Sequence, residues 1–165
     1  MRWGAEEAAG ATVAGLDAAL AALAAGQAGF ALRLRVAEVG RFVALVPEGD
    51  AGAVAALAAA CVTGLDGFRA PASAEELTRR GAAGLDARGE VHLARWGYPY
   101  VLDRFRFHMT LTGALEDGER VAVRDGLAAW LAPVVAEPVA VAGLCRFSEG
   151  ADGRFRLVRR FALGG

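Results

Sequence analysis

Short runs of alternating apolar and polar residues, helical apolar spacing in the segments between them, and glycine or proline at the junctions predict an α+β fold with mostly antiparallel pairing. The chain has 165 residues, the length of one domain. No linker or composition break marks a second domain, and no short repeat is found. The whole of 1–165 is therefore read as one domain.

Residues 12–25 form a helix, with Val13, Leu16, Leu20 and Leu23 on one stripe, Thr12 as its cap and Gly26 as its stop. Residues 30–39 alternate, with Phe30, Leu32, Leu34 and Val36 on one parity and Arg33 and Arg35 on the other, as in a half-buried strand. Gly40 permits a turn, and the apolar run 41–46, stopped by Pro47, completes a hairpin. Residues 51–65 are a buried helix through Val54, Leu57, Cys61 and Leu65. Residues 73–80 are a short helix, opened by a capping box of Ser73 and Glu76. A further helix spans 86–96 and stops at Gly97 and Pro99. Residues 105–112 form a strand and 119–135 a helix, and 139–147 and 155–163 are closing strands.

Hydrophobic residues make up 55% of the chain, but alanine and valine supply much of this. No apolar run approaches the roughly 20 residues needed to cross a bilayer. No signal-peptide pattern opens the chain, so the expectation is a cytoplasmic protein without membrane contact. Net charge is -1, which argues against a duplex nucleic acid partner. All 18 cationic residues are arginines; a GC-rich coding sequence explains this as readily as selection for phosphate contacts does. Cys61 and Cys145 lie far apart, read as buried small hydrophobes, and form no metal-ligand pattern with His92 and His108. Neither a metal nor a cofactor is expected.

The segment from Arg104 to Thr112 carries the chemistry. Alternation places Phe105, Phe107, Met109 and Leu111 on one face and Arg104, Arg106, His108, Thr110 and Thr112 on the other. Arginine binds phosphate oxygens, histidine transfers protons near neutral pH, and a threonine two residues on donates to a phosphoryl oxygen from the same side. Alternation alone leaves a surface histidine the commoner reading.

Longer strings point further. Trp96-Gly97-Tyr98-Pro99-Tyr100-Val101, then Phe105-Arg106-Phe107-His108-Met109-Thr110-Leu111-Thr112-Gly113, resemble a family associated with phosphonate-utilisation operons. That family belongs to the two-histidine phosphoesterase superfamily. Arg41-Phe42-Val43-Ala44-Leu45-Val46-Pro47, Phe68-Arg69-Ala70-Pro71 and Glu75-Glu76-Leu77-Thr78-Arg79-Arg80 continue the resemblance over most of the chain. It implies a bilobal fold, with antiparallel sheets lining a cleft, helices outside, and a His-x-Thr motif in each lobe. The remainder of the first lobe would run to about residue 67, and 68–165 would supply linker helices, second lobe and closing strands. One histidine takes a proton and the other gives one, without metal.

The first His-x-Thr motif is absent. Met1-Arg2-Trp3 resembles the residues that follow it in relatives, so the first lobe is expected to be incomplete, with an unpaired sheet edge near residues 32–36 or 41–46 through which copies associate. His92 lies where the family shows no motif and reads as a partly exposed helical residue. The resemblance implies His108 and Thr110 as catalytic residues and Arg106 as a phosphate ligand. Arg69 serves either phosphate or a structural ion pair. Tyr98 and Tyr100 serve either the ligand wall or packing. Arg79 and Arg80 read as a solvated helix end. The expected partner is a small phosphorylated metabolite or cyclic nucleotide. Three functions stay open: a metal-independent phosphodiesterase, a binding protein that holds phosphate esters without turnover, and a truncated gene product.

Overall fold

The computed structural model of the protein describes residues 12–81 and 84–164. The expectations attached to Met1-Arg2-Trp3, and those on the side chains of Arg79 and Arg80, lie outside the described residues. In chain order the elements are α1 (Val13–Ala25), β1 (Phe30–Leu32), β2 (Leu34–Val39), β3 (Phe42–Pro47), α2 (Gly52–Gly64), α3 (Ala74–Gly81), α4 (Ala87–Trp96), β4 (Met109–Thr110), α5 (Asp117–Val135), β5 (Val139–Val141), β6 (Gly143–Glu149) and β7 (Phe155–Ala162). All pairings between these strands are antiparallel: β1 with β5, β2–β3–β4 in that order, and β6 with β7. The α+β class with antiparallel sheets is thus the observed one. No described helix is long and apolar enough to cross a membrane.

Two compact units interleave along the chain. One holds residues 12–29, 56–81, 84–105 and 142–164; the other holds 30–55 and 106–141. Interleaving breaks two segments that alternation read as single strands. β1 pairs with β5 while β2 pairs with β3, and the break falls at Arg33. β5 likewise belongs with β1, and β6 with β7, so the 139–147 run divides at Ala142.

In the first unit, α1 packs on the β6–β7 hairpin. Thr12 caps the helix by accepting from the Gly15 amide at 3.0 Å. Leu20 and Ala24 bury against Leu65 and Phe161, with Leu16, Leu23, Cys61 and Leu144 around them. Asp17, one turn before Leu20, accepts from Arg146 Nε at 2.6 Å and from Arg159 Nη1 at 3.3 Å. These arginines face each other across β6 and β7, so one carboxylate ties the helix to both strands. The hydrogen bond from Arg146, above all, holds the Asp17 carboxyl below the usual carboxylate range. Cys145 is exposed, contrary to the sequence reading. It alternates with Leu144 and Arg146, which turn toward α1, so it takes the uncovered face opposite Arg160.

His92 is a second correction. It is 3% exposed, because it shares the buried stripe of α4 with Gly89 and Leu93. A carboxylate makes that burial tolerable: His92 Nε2 donates to Asp103 Oδ1 at 2.6 Å, and Arg88 Nε donates to Oδ2 at 3.0 Å. Two residues of α4 thereby hold the 3-10 turn Leu102–Arg104. Arg88 first, then His92, lower the Asp103 carboxyl to about 2.

In the second unit, α5 packs on β2 and β3. Antiparallel partners share a face, so the register puts Leu34, Val36 and Glu38 of β2 beside Val43 and Leu45 of β3. Leu34, Val36 and Leu45 pack with Leu131 and Val135 of α5, and Val54 joins them. Glu38 accepts from Arg120 Nε at 2.8 Å and Arg124 Nη1 at 2.9 Å, one helical turn apart. β3 is the middle strand, so residues 41–46 are not the expected sheet edge; the outer edge of β2 has no partner among the described strands.

Two outcomes check this account. Leu65→Ala empties a core position 4% exposed and should cost about 2–5 kcal/mol in urea unfolding. Trp130→Ala, at a position 75% exposed, should change stability by no more than about 0.5 kcal/mol. The second outcome concerns pH. A lowered folded value means that the Asp103 contribution is fully present above the ordinary 3.8 and is lost as pH falls through about 2. The stability gap between the protein and Asp103→Asn should therefore close over that window, read from urea midpoints at successive pH values.

Candidate functional site

The Arg104–Thr112 stretch is less regular than alternation predicts. Only Met109 and Thr110 enter the ladder, as β4, with Leu45↔Met109 and Ala44↔Thr110 as partners. Beyond it the Leu111 amide donates to the Val43 carbonyl at 2.8 Å. Thr112 then uses its side chain in place of a strand partner: Oγ1 accepts from the Val43 amide at 3.1 Å and donates to the Gly113 carbonyl at 2.8 Å. Its hydroxyl is committed to the fold.

The two faces are nonetheless set by register. Met109 lies opposite Leu45, on the α5 side, and Phe107 packs into that same core. Thr110 lies opposite Ala44, on the other side. Met109 and Leu111, which alternation puts on the apolar face, are nonetheless 42% and 36% exposed. β4 is the edge of a three-stranded sheet and contributes two laddered residues, too few to be covered as an inner strand is.

His108 and Thr110 are both exposed. His108 Nδ1 contacts the carbonyl oxygen of Arg106 at 2.8 Å. A carbonyl only accepts, so Nδ1 carries the hydrogen, and in the neutral ring Nε2 keeps its lone pair. The main chain thus orients the imidazole with one nitrogen available as a base. Arg106 is exposed and supplies that carbonyl. His108, Thr110 and Arg106 all belong to the second unit.

Arg69 and Tyr98 belong to the first. Arg69 forms the structural ion pair: Nε donates to Asp66 Oδ1 at 2.9 Å and Nη2 to the Arg95 carbonyl at 3.2 Å. Arg95 Nη1 reaches the other Asp66 oxygen at 2.7 Å. Gly97 ends α4 with φ +68, and a Cβ there would meet Arg69 Nη1 at 2.9 Å. The positive φ favours glycine here, and a Cβ would also press on the guanidinium beside it. Tyr98 is 41% exposed and stands edge-on to Tyr100, with ring centroids 5.7 Å apart.

Sequence reasoning missed Arg35. It is exposed, and it shares with Ala37, Ala44 and Thr110 the sheet face turned away from α5. The signal was its parity opposite to Leu34 and Val36; the missing piece was which strand lies beside β2. Among the described residues, no group of three or more His, Cys, Asp or Glu side chains gathers as a metal site.

Comparison with known proteins adds the following. The chain is 37% identical over 151 residues to a protein of Laribacter hongkongensis (strain HLHK9) named ribose 1,5-bisphosphate phosphokinase PhnN; the match covers 91% of this chain and 35% of that protein. It is 48% identical over 82 residues to a protein of the same name from Janthinobacterium sp. (strain Marseille), covering 50% of this chain and 18% of that protein. The chain thus spans only a minor part of the curated relatives it matches. No solved structure matches it. Residues 6–156 match the family described as a protein of unknown function, DUF1045. With nine-tenths of its length inside that pattern, the chain belongs to the DUF1045 family.

Proposed function

We propose that this chain is a phosphate-ester-binding domain of the two-histidine phosphoesterase type, associated with phosphonate metabolism and carrying one His-x-Thr motif, His108-Met109-Thr110. The observation that carries the reading is the Nδ1–H to carbonyl hydrogen bond of His108. It leaves Nε2 to take a proton from an attacking hydroxyl or water, while the Thr110 hydroxyl, two residues on, holds a phosphoryl oxygen. Arg106 neutralises phosphate charge, and the ligand is a small cyclic or diester phosphate. In the other compact unit, Arg69 holds the end of α4 and Tyr98 presents an aromatic surface. Association of copies through the outer edge of β2 belongs to the same proposal.

The name of these relatives favours a second reading, phosphoryl transfer to a sugar phosphate. A P-loop kinase needs the lysine of G-x-x-x-x-G-K-[ST]. This chain has no lysine, since all 18 of its cationic residues are arginines. A kinase activity of that type therefore has to reside in the parts of those relatives that this chain does not match. What carries over is the ligand chemistry, a small phosphorylated metabolite.

One histidine fills one proton-transfer role, so binding should outlast turnover. We expect slow hydrolysis of a nucleoside 2′,3′-cyclic phosphate in the presence of a chelator, with a single inflection in the pH–rate profile rather than a bell. His108→Ala should remove this residual rate by about 10²-fold or more, and Thr110→Ala should weaken nucleotide binding. A bell-shaped profile would require a second proton-transfer group, and a rate untouched by His108→Ala would move the chemistry elsewhere.

A further inference from the structure

We infer that Arg35 is a phosphate-binding residue of the His108–Thr110 site, held across the sheet from it with a floor of small side chains between. This rests on the proposed phosphate-binding role of that site.

The placement follows from register. Arg35 lies opposite Val46, and Ala37 opposite Ala44, in the β2–β3 pair; Ala44 in turn lies opposite Thr110 in the β3–β4 pair. Thr110, Ala44 and Ala37 therefore form one row across the three strands. Carried one residue back along β4, the same register brings His108 level with Val46, and hence with Arg35. Adjacent strands lie about 4.8 Å apart, so β2 and β4 are separated by about 10 Å. Arginine and histidine side chains entering from both sides span such a gap around one phosphoryl group.

Chemistry supports the same assignment. Val46, level with Arg35 and His108, and Ala37 are small and partly exposed, so an anion can settle beside them, while Ala44, between Ala37 and Thr110, is fully buried. Glu38, the adjacent acidic residue of β2, is turned to the α5 face and occupied by Arg120 and Arg124. Most arginines of the structure are consumed in ion pairs: Arg41 with Glu116, Arg69 with Asp66, Arg88 with Asp103, Arg146 with Asp17. No ion pair or hydrogen bond with a described residue engages the Arg35 guanidinium. A planar guanidinium on this face presents two parallel N–H groups to two phosphate oxygens. His108 Nε2 then meets the ligand from the opposite side, and the Thr110 hydroxyl meets it in the next row.

The test is a titration with inorganic phosphate, followed through the amide resonances of Ala44 and Thr110 in the full chain, for the unaltered protein, Arg35→Ala, Arg35→Lys and His108→Ala. Arg35 is exposed, so unchanged melting of its variants checks that they fold. The expected result is that phosphate shifts both resonances, that Arg35→Ala weakens binding about tenfold or more, and that Arg35→Lys falls between, because a point charge replaces a bidentate fork. If His108→Ala weakens binding and Arg35→Ala does not, the role of Arg35 is overturned and the site survives. If phosphate shifts neither resonance in the unaltered protein, the site and the inference fall together.

Discussion

The structure around the candidate site depends on the register of β3. Val43 and Ala44 are both fully buried, so consecutive residues fill opposite faces of the sheet. Such a strand cannot slip by one position without moving Leu45 from the core beneath α5 to the other side. That same register sets Thr110 against Ala44 and Met109 against Leu45. Whether His108 and Thr110 face away from α5 is therefore decided by a neighbouring strand that contains neither of them. Thr112 reinforces the arrangement, because its hydroxyl takes the Val43 amide where the β4 ladder has ended.

Arginine forks secure the helices to these sheets. Glu38 is gripped by Arg120 and Arg124, and Asp17 by Arg146 and Arg159. In each case one carboxylate meets two guanidinium groups, a geometry that suits planar bidentate donors better than ammonium groups. An all-arginine composition thus does structural work throughout the chain. Composition alone cannot nominate phosphate ligands here.

The two histidines show how environment separates roles within one residue type. His92 is buried, and its Nε2–H is given to Asp103 beside Arg88. Its partners explain it as a tie between α4 and the turn that precedes the His108 segment. His108 is exposed and spends only Nδ1 on the main chain. Proton transfer needs a nitrogen that solvent or substrate can reach, and His108 has one.

Much of this was legible from local pattern. Helical spacing located α1, α2, α3 and α4, and the two caps it named, Thr12 and Ser73, bind amides three residues on. The Gly40 hairpin and the parity of Arg35 against Leu34 and Val36 were equally local, since both follow from backbone geometry over a few residues. Tertiary structure alone decided the breaks at Arg33 and Ala142, where successive strands join different sheets. It decided the burial of His92, which needs Asp103 eleven residues away, and the commitment of Arg69 to Asp66 and the Arg95 carbonyl. It also set Arg35 on the sheet face of Thr110. Alternation says which side of its own strand a residue takes, but the identity of the residue across the sheet depends on pairing between distant segments, which no local pattern encodes.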